Sequence, residues 1–148
     1  MAPAAEDARR STANLGFLLS KASQRWNELL VSRFAARGYA DVKPSYGSVL
    51  MPLFERDGLR LGEIGARARL SKQSMTSLVR QCEADGFVSR RRDPGDGRAF
   101  RVLLTPRGHE FRAVVDEVLG ELDAVVLTAL GRRQRDALVR ALRGVMEL

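Results

Sequence analysis

Hydrogen-bonding side chains recur at helical spacing directly after residue 70. At about 100° per residue, one stripe of this segment is apolar, and its members are Met75, Leu78, Val79 and Cys82. The first turn and the opposite face carry polar groups of the kinds that bind base edges and phosphates, namely Ser71, Lys72, Gln73, Ser74, Thr76, Ser77 and Arg80. The pattern predicts a helix that begins at Ser71 and ends near Ala84, with one face able to read DNA. A polar face that meets only solvent is the alternative.

The segment SRRRDPGDGRAFRVLLT, residues 89–105, predicts a β-hairpin. Its centre, Asp93–Gly97, contains one proline and two glycines, which favour a tight turn. Beyond the turn, the apolar residues Phe100, Val102 and Leu104 alternate with their neighbours, as in a half-buried strand. A hairpin of this kind would project its turn into solvent.

Arginines surround the predicted turn, and residues 60–107 hold 11 basic and 5 acidic residues of a chain whose net charge is +7. Arg98, beyond the turn, has the length and charge to enter a narrow, negative minor groove. Arg90 and Arg92 could contact phosphates or could be plain surface residues. Asp96 could hold Arg98 in one rotamer through a charge-assisted hydrogen bond, or it could be an ordinary turn former. The cationic hairpin therefore favours an anionic partner.

Helical periodicity predicts the elements that position these two segments. A long helix is expected from about Asn14 to Arg37, and a second begins near Pro44 and is bent or shortened by Pro52. A short helix over Leu61–Ala68 precedes the Ser71 helix. After the hairpin, Thr105 caps another long helix, and a final helix closes the chain.

This order predicts a mainly α fold with a small β-hairpin wing, which is a winged helix-turn-helix flanked by long dimerisation helices. We expect residues 1–11 to form a flexible N-terminus and residues 12–148 to form a single domain. The winged helix-turn-helix should occupy about residues 44–106. The dimerisation helices should occupy about residues 12–38 and 106–148, because their apolar faces exceed what one small winged domain can cover.

Residues 59–111 resemble the core of the MarR family of bacterial transcription regulators. The matching pieces are the Ser71 helix, the Cys82–Val88 segment in the place of the family's LE..GLV, the triplet Asp96-Gly97-Arg98, and Leu104–Gly108 at the start of the next helix. The resemblance implies an obligate homodimer joined by its terminal helices. It also implies that the Ser71 helix enters the major groove and that Arg98 reaches the minor groove.

Few residues in the chain could support catalysis or metal binding. His109 is the only histidine and has no nearby cysteine or histidine ligand set, and no phosphate-binding loop or nucleophile motif occurs. We therefore predict no enzyme activity, no cofactor and no metal, and a surface or packing role for His109. Cys82 is the single cysteine and is expected in the core rather than as a redox switch. With no apolar run of membrane-spanning length, a cytoplasmic protein without a membrane partner is expected.

Four side chains of the first two helices could line an effector pocket, although hydrophobic core is the default interpretation: Trp26, Tyr46, Met51 and Phe54. We predict a sequence-specific regulator, a homodimeric repressor that binds a palindromic operator in double-stranded DNA and is released by a small, often aromatic or phenolic, effector. One alternative is a constitutive or architectural winged-helix protein that binds DNA without an effector. The other is a winged-helix module for protein docking or dimerisation.

Overall fold

The computed structural model describes residues 13–148, so the predicted flexible segment 1–11 lies outside the described residues. The elements in chain order are α1 (Leu15–Ala36), a 3-10 turn (Pro44–Tyr46), α2 (Gly47–Glu55), β1 (Leu59–Arg60), α3 (Leu61–Ala68), α4 (Lys72–Ala84), β2 (Val88–Asp93), β3 (Asp96–Leu104) and α5 (Pro106–Met146). This mostly helical chain with one small antiparallel sheet confirms the predicted fold class.

Side-chain caps set the beginnings of the long helices. The Asn14 side chain accepts a hydrogen bond from the Phe17 backbone N–H at 3.2 Å, and the Thr105 hydroxyl accepts one from the Gly108 N–H at 3.1 Å. Helical structure begins at Pro44, near the predicted start of the second helix, but its first turn is 3-10 rather than α. Pro44–Tyr46 forms a separate 3-10 turn, and α2 follows it with Pro52 inside its nine residues.

The sheet has three strands in the order β1-β3-β2, where the sequence predicted only a two-stranded hairpin. Leu59 and Arg60 pair with β3 and were missed because two residues are too few to show a strand period. The β2–β3 ladder is interrupted between Arg92, which pairs with Phe100, and Asp93, which pairs with Asp96. This irregularity places Gly97, Arg98 and Ala99 outside the regular pairing, next to the turn.

One hydrophobic core joins the long helices to the helix-turn-helix. An aromatic cluster forms its centre: the ring of Phe111 on α5 lies 5.0 Å from Phe34 of α1, 4.8 Å from Tyr39 and 5.3 Å from Phe87, measured between centroids. Phe87 follows α4 directly. The aromatic cluster therefore ties the segment that follows α4 to the start of α5, while α4 itself packs against α2, α3 and β2.

The two helices predicted after the hairpin are both present, and they meet at a kink at Gly131 inside the segment labelled α5. Gly131 has φ of 78° and ψ of 162°, a conformation that glycine adopts easily and that redirects the helix. The Arg135 guanidinium binds the Asp123 carboxylate at 2.9 Å across this break. Within residues 13–148, no helix combines the length and apolar character needed to cross a bilayer.

Candidate nucleic-acid interface

The buried side of α4 fixes which of its faces meets solvent. Met75, Val79 and Cys82 are fully buried, and Leu78 is half-buried, which confirms the predicted apolar stripe. Burial raises the pKa of the Cys82 thiol to about 12, so this side chain is neutral at physiological pH. The thiol acts as a small apolar group of the core.

The first turn of α4 is held by its own hydroxyl groups. The Ser71 side chain accepts the Ser74 backbone N–H at 3.1 Å and contacts the Ser74 hydroxyl at 3.0 Å. Thr76 is half-buried, and its hydroxyl donates to the Lys72 carbonyl at 2.8 Å. These three hydroxyls therefore already support the helix, although each oxygen keeps acceptor capacity.

The outward face of α4 presents the predicted base-contacting residues together. Gln73, Ser77 and Arg80 are exposed, and they line an open groove of about 780 Å³ with Lys72. Gln81, which the sequence pattern did not single out, lines the same groove and donates to the Ser77 hydroxyl at 3.4 Å. Helical spacing alone could have included it, because it lies four residues after Ser77.

The five arginines of the wing strands divide into two anchored side chains, Arg90 and Arg101, and three free ones. Arg90 binds the Glu83 carboxylate of α4 through both its backbone N–H and its Nε, each at 3.1 Å, and its guanidinium lies 5.9 Å from the Phe100 ring centroid. By contrast, the guanidinium groups of Arg91, Arg92 and Arg98 form no ion pair with any residue of the range 13–148 and are exposed. Arg90 therefore ties the wing to α4, and the three free side chains remain available to an external anion.

The two aspartates of the wing turn have different surroundings. Asp96 accepts the Arg98 backbone N–H at 3.0 Å, which is the contact of a turn former, and within the described chain it makes no ion pair with that guanidinium. Asp93 is buried, and its carboxylate binds Arg60 Nε at 2.7 Å and Arg101 Nε at 3.1 Å.

Sequence reasoning missed the structural role of Asp93. The pKa of the Asp93 carboxyl lies below its ordinary value, although burial alone would raise it. The main cause is the hydrogen bond that the carboxylate accepts from the Gly95 backbone N–H at 2.8 Å, and the guanidinium groups of Arg60 and Arg101 lower the pKa further. Asp93 thereby fixes the base of the wing turn to β1 and β3. No local signal marked the contact with Arg60, because Arg60 lies 33 residues before Asp93 in the sequence.

Arg98 and Lys72 meet at a second cleft, between the wing and α3. This cleft measures about 710 Å³, and Arg60, which is bound to Asp93, and Glu63 also line it. Arg98 and Lys72 project from different elements, so a single anionic strand that follows the cleft could contact both. The structure thus brings the wing and the start of α4 onto one cationic surface.

A separate cavity of about 180 Å³ lies between the long helices and the helix-turn-helix. Three of the four predicted effector-pocket residues, Tyr46, Met51 and Phe54, line it, whereas Trp26 is half-buried elsewhere against the core. Its wall is otherwise apolar except for Lys43, which the sequence pattern did not single out. The Tyr46 hydroxyl donates to the Asp85 carboxylate. Burial is the main cause that raises the pKa of Tyr46 above its ordinary value.

A helix-turn-helix followed by a cationic two-stranded wing defines this chain as a winged helix-turn-helix protein. A sequence model of the MarR family matches residues 40–99. The HTH-type transcriptional repressor Mb2911 of Mycobacterium bovis is 30% identical over 93 residues, which cover 63% of this chain and 67% of that protein. The chain belongs to the MarR family, whose members are transcriptional regulators and not enzymes.

Two further similarities agree with this assignment. The HTH-type transcriptional regulator TtmR of Methylorubrum extorquens is 38% identical over 68 residues, which cover 46% of this chain and 35% of TtmR. The chain therefore spans about a third of the length of that relative. The PcaV transcriptional regulator from Streptomyces coelicolor, solved in complex with its natural ligand, has the same fold with a TM-score of 0.78 at 21% identity, over 93% of this chain and 95% of PcaV.

Proposed function

We propose that this protein is a cytoplasmic homodimeric repressor that binds a palindromic operator in double-stranded DNA and is released by a small effector. One observation carries the DNA-binding part. The exposed polar face of α4 lines one cleft, Arg98 of the wing lines a second, and Lys72 lines both, while Arg91 and Arg92 are exposed on β2. Cationic side chains that have no anionic partner within the described residues suit the phosphate backbone of a duplex.

We propose different DNA contacts for different side chains. In the proposed complex α4 lies in the major groove, where Gln73 and Arg80 reach base edges. Lys72, at the first turn, contacts phosphate and contributes affinity without sequence preference. The wing follows the backbone to the adjacent minor groove, into which Arg98 inserts.

Exposed apolar side chains at both ends of the chain support a homodimer. Helix α1 and the end of α5 present large apolar residues to solvent, namely Leu15, Phe17, Leu18, Leu138, Leu142, Val145 and Met146. Burying these groups against a second copy would remove a large apolar area from water. We assign the dimer interface to residues of 12–38 and 106–148 and the DNA-binding unit to about 44–106, within one domain of 12–148.

The apolar cavity beside Tyr46 supports regulation by a small molecule. A cavity of about 150 Å³ is large enough for benzene, so the 180 Å³ available here suits one aromatic ring. Lys43 at the wall could pair with an acidic substituent, and its Nζ lies 3.4 Å from Gln81 Oε1 of α4. A ligand that takes Lys43 away from Gln81 would alter the support of α4, which provides a route from the cavity to the DNA-binding face.

A binding titration tests this function. The labelled probe is the DNA upstream of the protein's own gene, and fluorescence anisotropy is recorded for the parent and for a variant with Gln73, Arg80 and Arg98 replaced by alanine. We expect tight binding by the parent only, and weaker binding after small aromatic acids are added. Equal binding by both proteins would contradict the proposed interface. Tight binding that no small molecule weakens would favour the constitutive alternative.

A further inference from the structure

Arg107, at the start of α5, makes a dense set of contacts that the interface described above does not use. Its two terminal nitrogens bind the two carboxylate oxygens of Asp41, each at 3.0 Å. This is the paired geometry that only a planar guanidinium can provide. The Asp41 carboxylate raises the pKa of Arg107, and Arg107 lowers the pKa of Asp41, so the pair is charged at physiological pH.

The same guanidinium also contacts the C-terminal end of α4. It donates to the backbone carbonyl of Asp85, the residue that caps α4. Its central carbon lies 4.3 Å from the ring centroid of Phe87 and 5.5 Å from that of Tyr39. Arg107 therefore joins three segments at one point: the loop after α1, the end of α4 and the beginning of α5.

Neighbouring contacts hold the two helices close at this point. The Thr105 hydroxyl donates to the Gly86 carbonyl at 2.6 Å, and the Thr105 N–H donates to the Phe87 carbonyl at 3.1 Å. A Cβ on Gly108 would lie 2.3 Å from the Phe87 carbonyl oxygen, so only glycine permits this approach. The end of α4 is consequently docked on the first turn of α5, with Arg107 at the exposed edge of the joint.

We infer that Arg107 is a positioning residue that sets the angle of α4 relative to the long helices and thereby makes the protein selective for the spacing between operator half-sites. This inference rests on the proposed function. In a dimer joined through α1 and α5, the separation of the two α4 helices depends on how rigidly each is held to α5. One added base pair moves a half-site by about 3.4 Å along the duplex. A rigid joint cannot follow that displacement, whereas a loosened joint can.

The test compares the spacing preference of the parent and of Arg107→Lys, which keeps the charge but loses the paired geometry. Duplexes carry identical half-sites at the preferred centre-to-centre separation and at one base pair less or more. We expect the parent to lose about tenfold in affinity for each changed spacing. Arg107→Lys should lose less than about threefold, and its dimer mass and melting temperature should stay near those of the parent.

Arg112→Lys is the matched control. Its guanidinium lies 6.0 Å from the Phe54 ring centroid and makes no ion pair within the described range, so it should keep the parent's preference.

A second variant and a measurement without DNA cover the case in which Arg107→Lys folds poorly. Asp41→Asn removes the carboxylate that holds Arg107 and should relax spacing preference in the same way. Spin labels placed at the exposed Ala84→Cys position, with buried Cys82 left unlabelled, report the distance between the two α4 helices of a dimer. We expect a broader distance distribution in both variants than in the parent.

Each result separates the inference from the proposed function. A parent that prefers one spacing, with variants that show the same preference and the same label distances, overturns the inference and leaves the proposed function intact. A parent dimer that binds no palindrome refutes the proposed function, and the label distances then still test the joint. A parent that is monomeric contradicts both.

Discussion

Replacing Arg98 by alanine tests the assigned role of the wing. The guanidinium is exposed and makes no hydrogen bond or ion pair with the rest of residues 13–148, so its removal should change the free energy of unfolding by less than about 0.5 kcal/mol. A lost minor-groove contact should instead weaken operator binding by about 1–3 kcal/mol. Because 1.4 kcal/mol is a factor of ten, affinity should fall at least about fivefold.

The assay is a fluorescence-anisotropy titration with operators whose half-sites are flanked by A/T or by G/C pairs. The parent should prefer A/T flanks, where the minor groove is narrow and most negative, and Arg98→Ala should lose that preference. Arg91→Ala is the matched control, since it removes an equally unpaired charge from the same wing and should weaken both operators alike. Unchanged affinity in Arg98→Ala, or the same uniform loss in both variants, would refute the groove assignment.

Four further changes to the chain have expected outcomes. Gln73→Ala should relax base preference at one position of each half-site. Lys72→Ala should instead weaken binding to all sequences alike and lower the slope of log affinity against log salt by about one for each lost phosphate contact. If both variants select the same motif from random DNA, this division of roles is contradicted. Cys82→Ser should lower the free energy of unfolding by about 1–3 kcal/mol in a denaturant titration, because the hydroxyl enters a fully buried site. Operator binding should resist peroxide in parent and variant alike, and peroxide-dependent release only in the parent would indicate a redox switch. Ending the chain after Leu127 should abolish the stable dimer in light scattering and leave DNA binding with a dissociation constant of about 10⁻⁴–10⁻⁶ M. A truncated protein that is still a dimer and still binds the operator tightly would show that the last helix is not the dimer element.

Local sequence patterns were sufficient for the elements that depend on local physics. The apolar period of α4 and its Ser71 cap predicted both the bounds of the helix and its buried stripe. The proline and glycines of the wing turn predicted the hairpin. In each case the sequence pattern and the element that it predicts lie within the same few residues, so the prediction did not depend on contacts with distant residues.

Features that depend on distant partners could not be predicted. The buried Asp93 carboxylate binds Arg60, which is distant in the sequence and which the sheet brings next to it. The joint at Arg107 likewise needs Asp41, 66 residues away. Trp26 was grouped with Tyr46 because both are aromatic and come from the first two helices, but the cavity is bounded instead by α5 residues such as Phe111. The assignment of individual side chains to DNA contacts stays a prediction.

Selection of bound DNA from a random pool, combined with native mass spectrometry of the selected complex, tests the central claim most directly. We predict enrichment of a palindrome whose half-sites lie about one helical turn, or about 10 base pairs, apart, with two chains bound to each duplex. Replacing Gln73, Arg80 and Arg98 by alanine together should abolish the enrichment. Recovery of no shared motif, or of a motif that one chain binds alone, would contradict the account of a dimer that reads DNA through α4 and the wing.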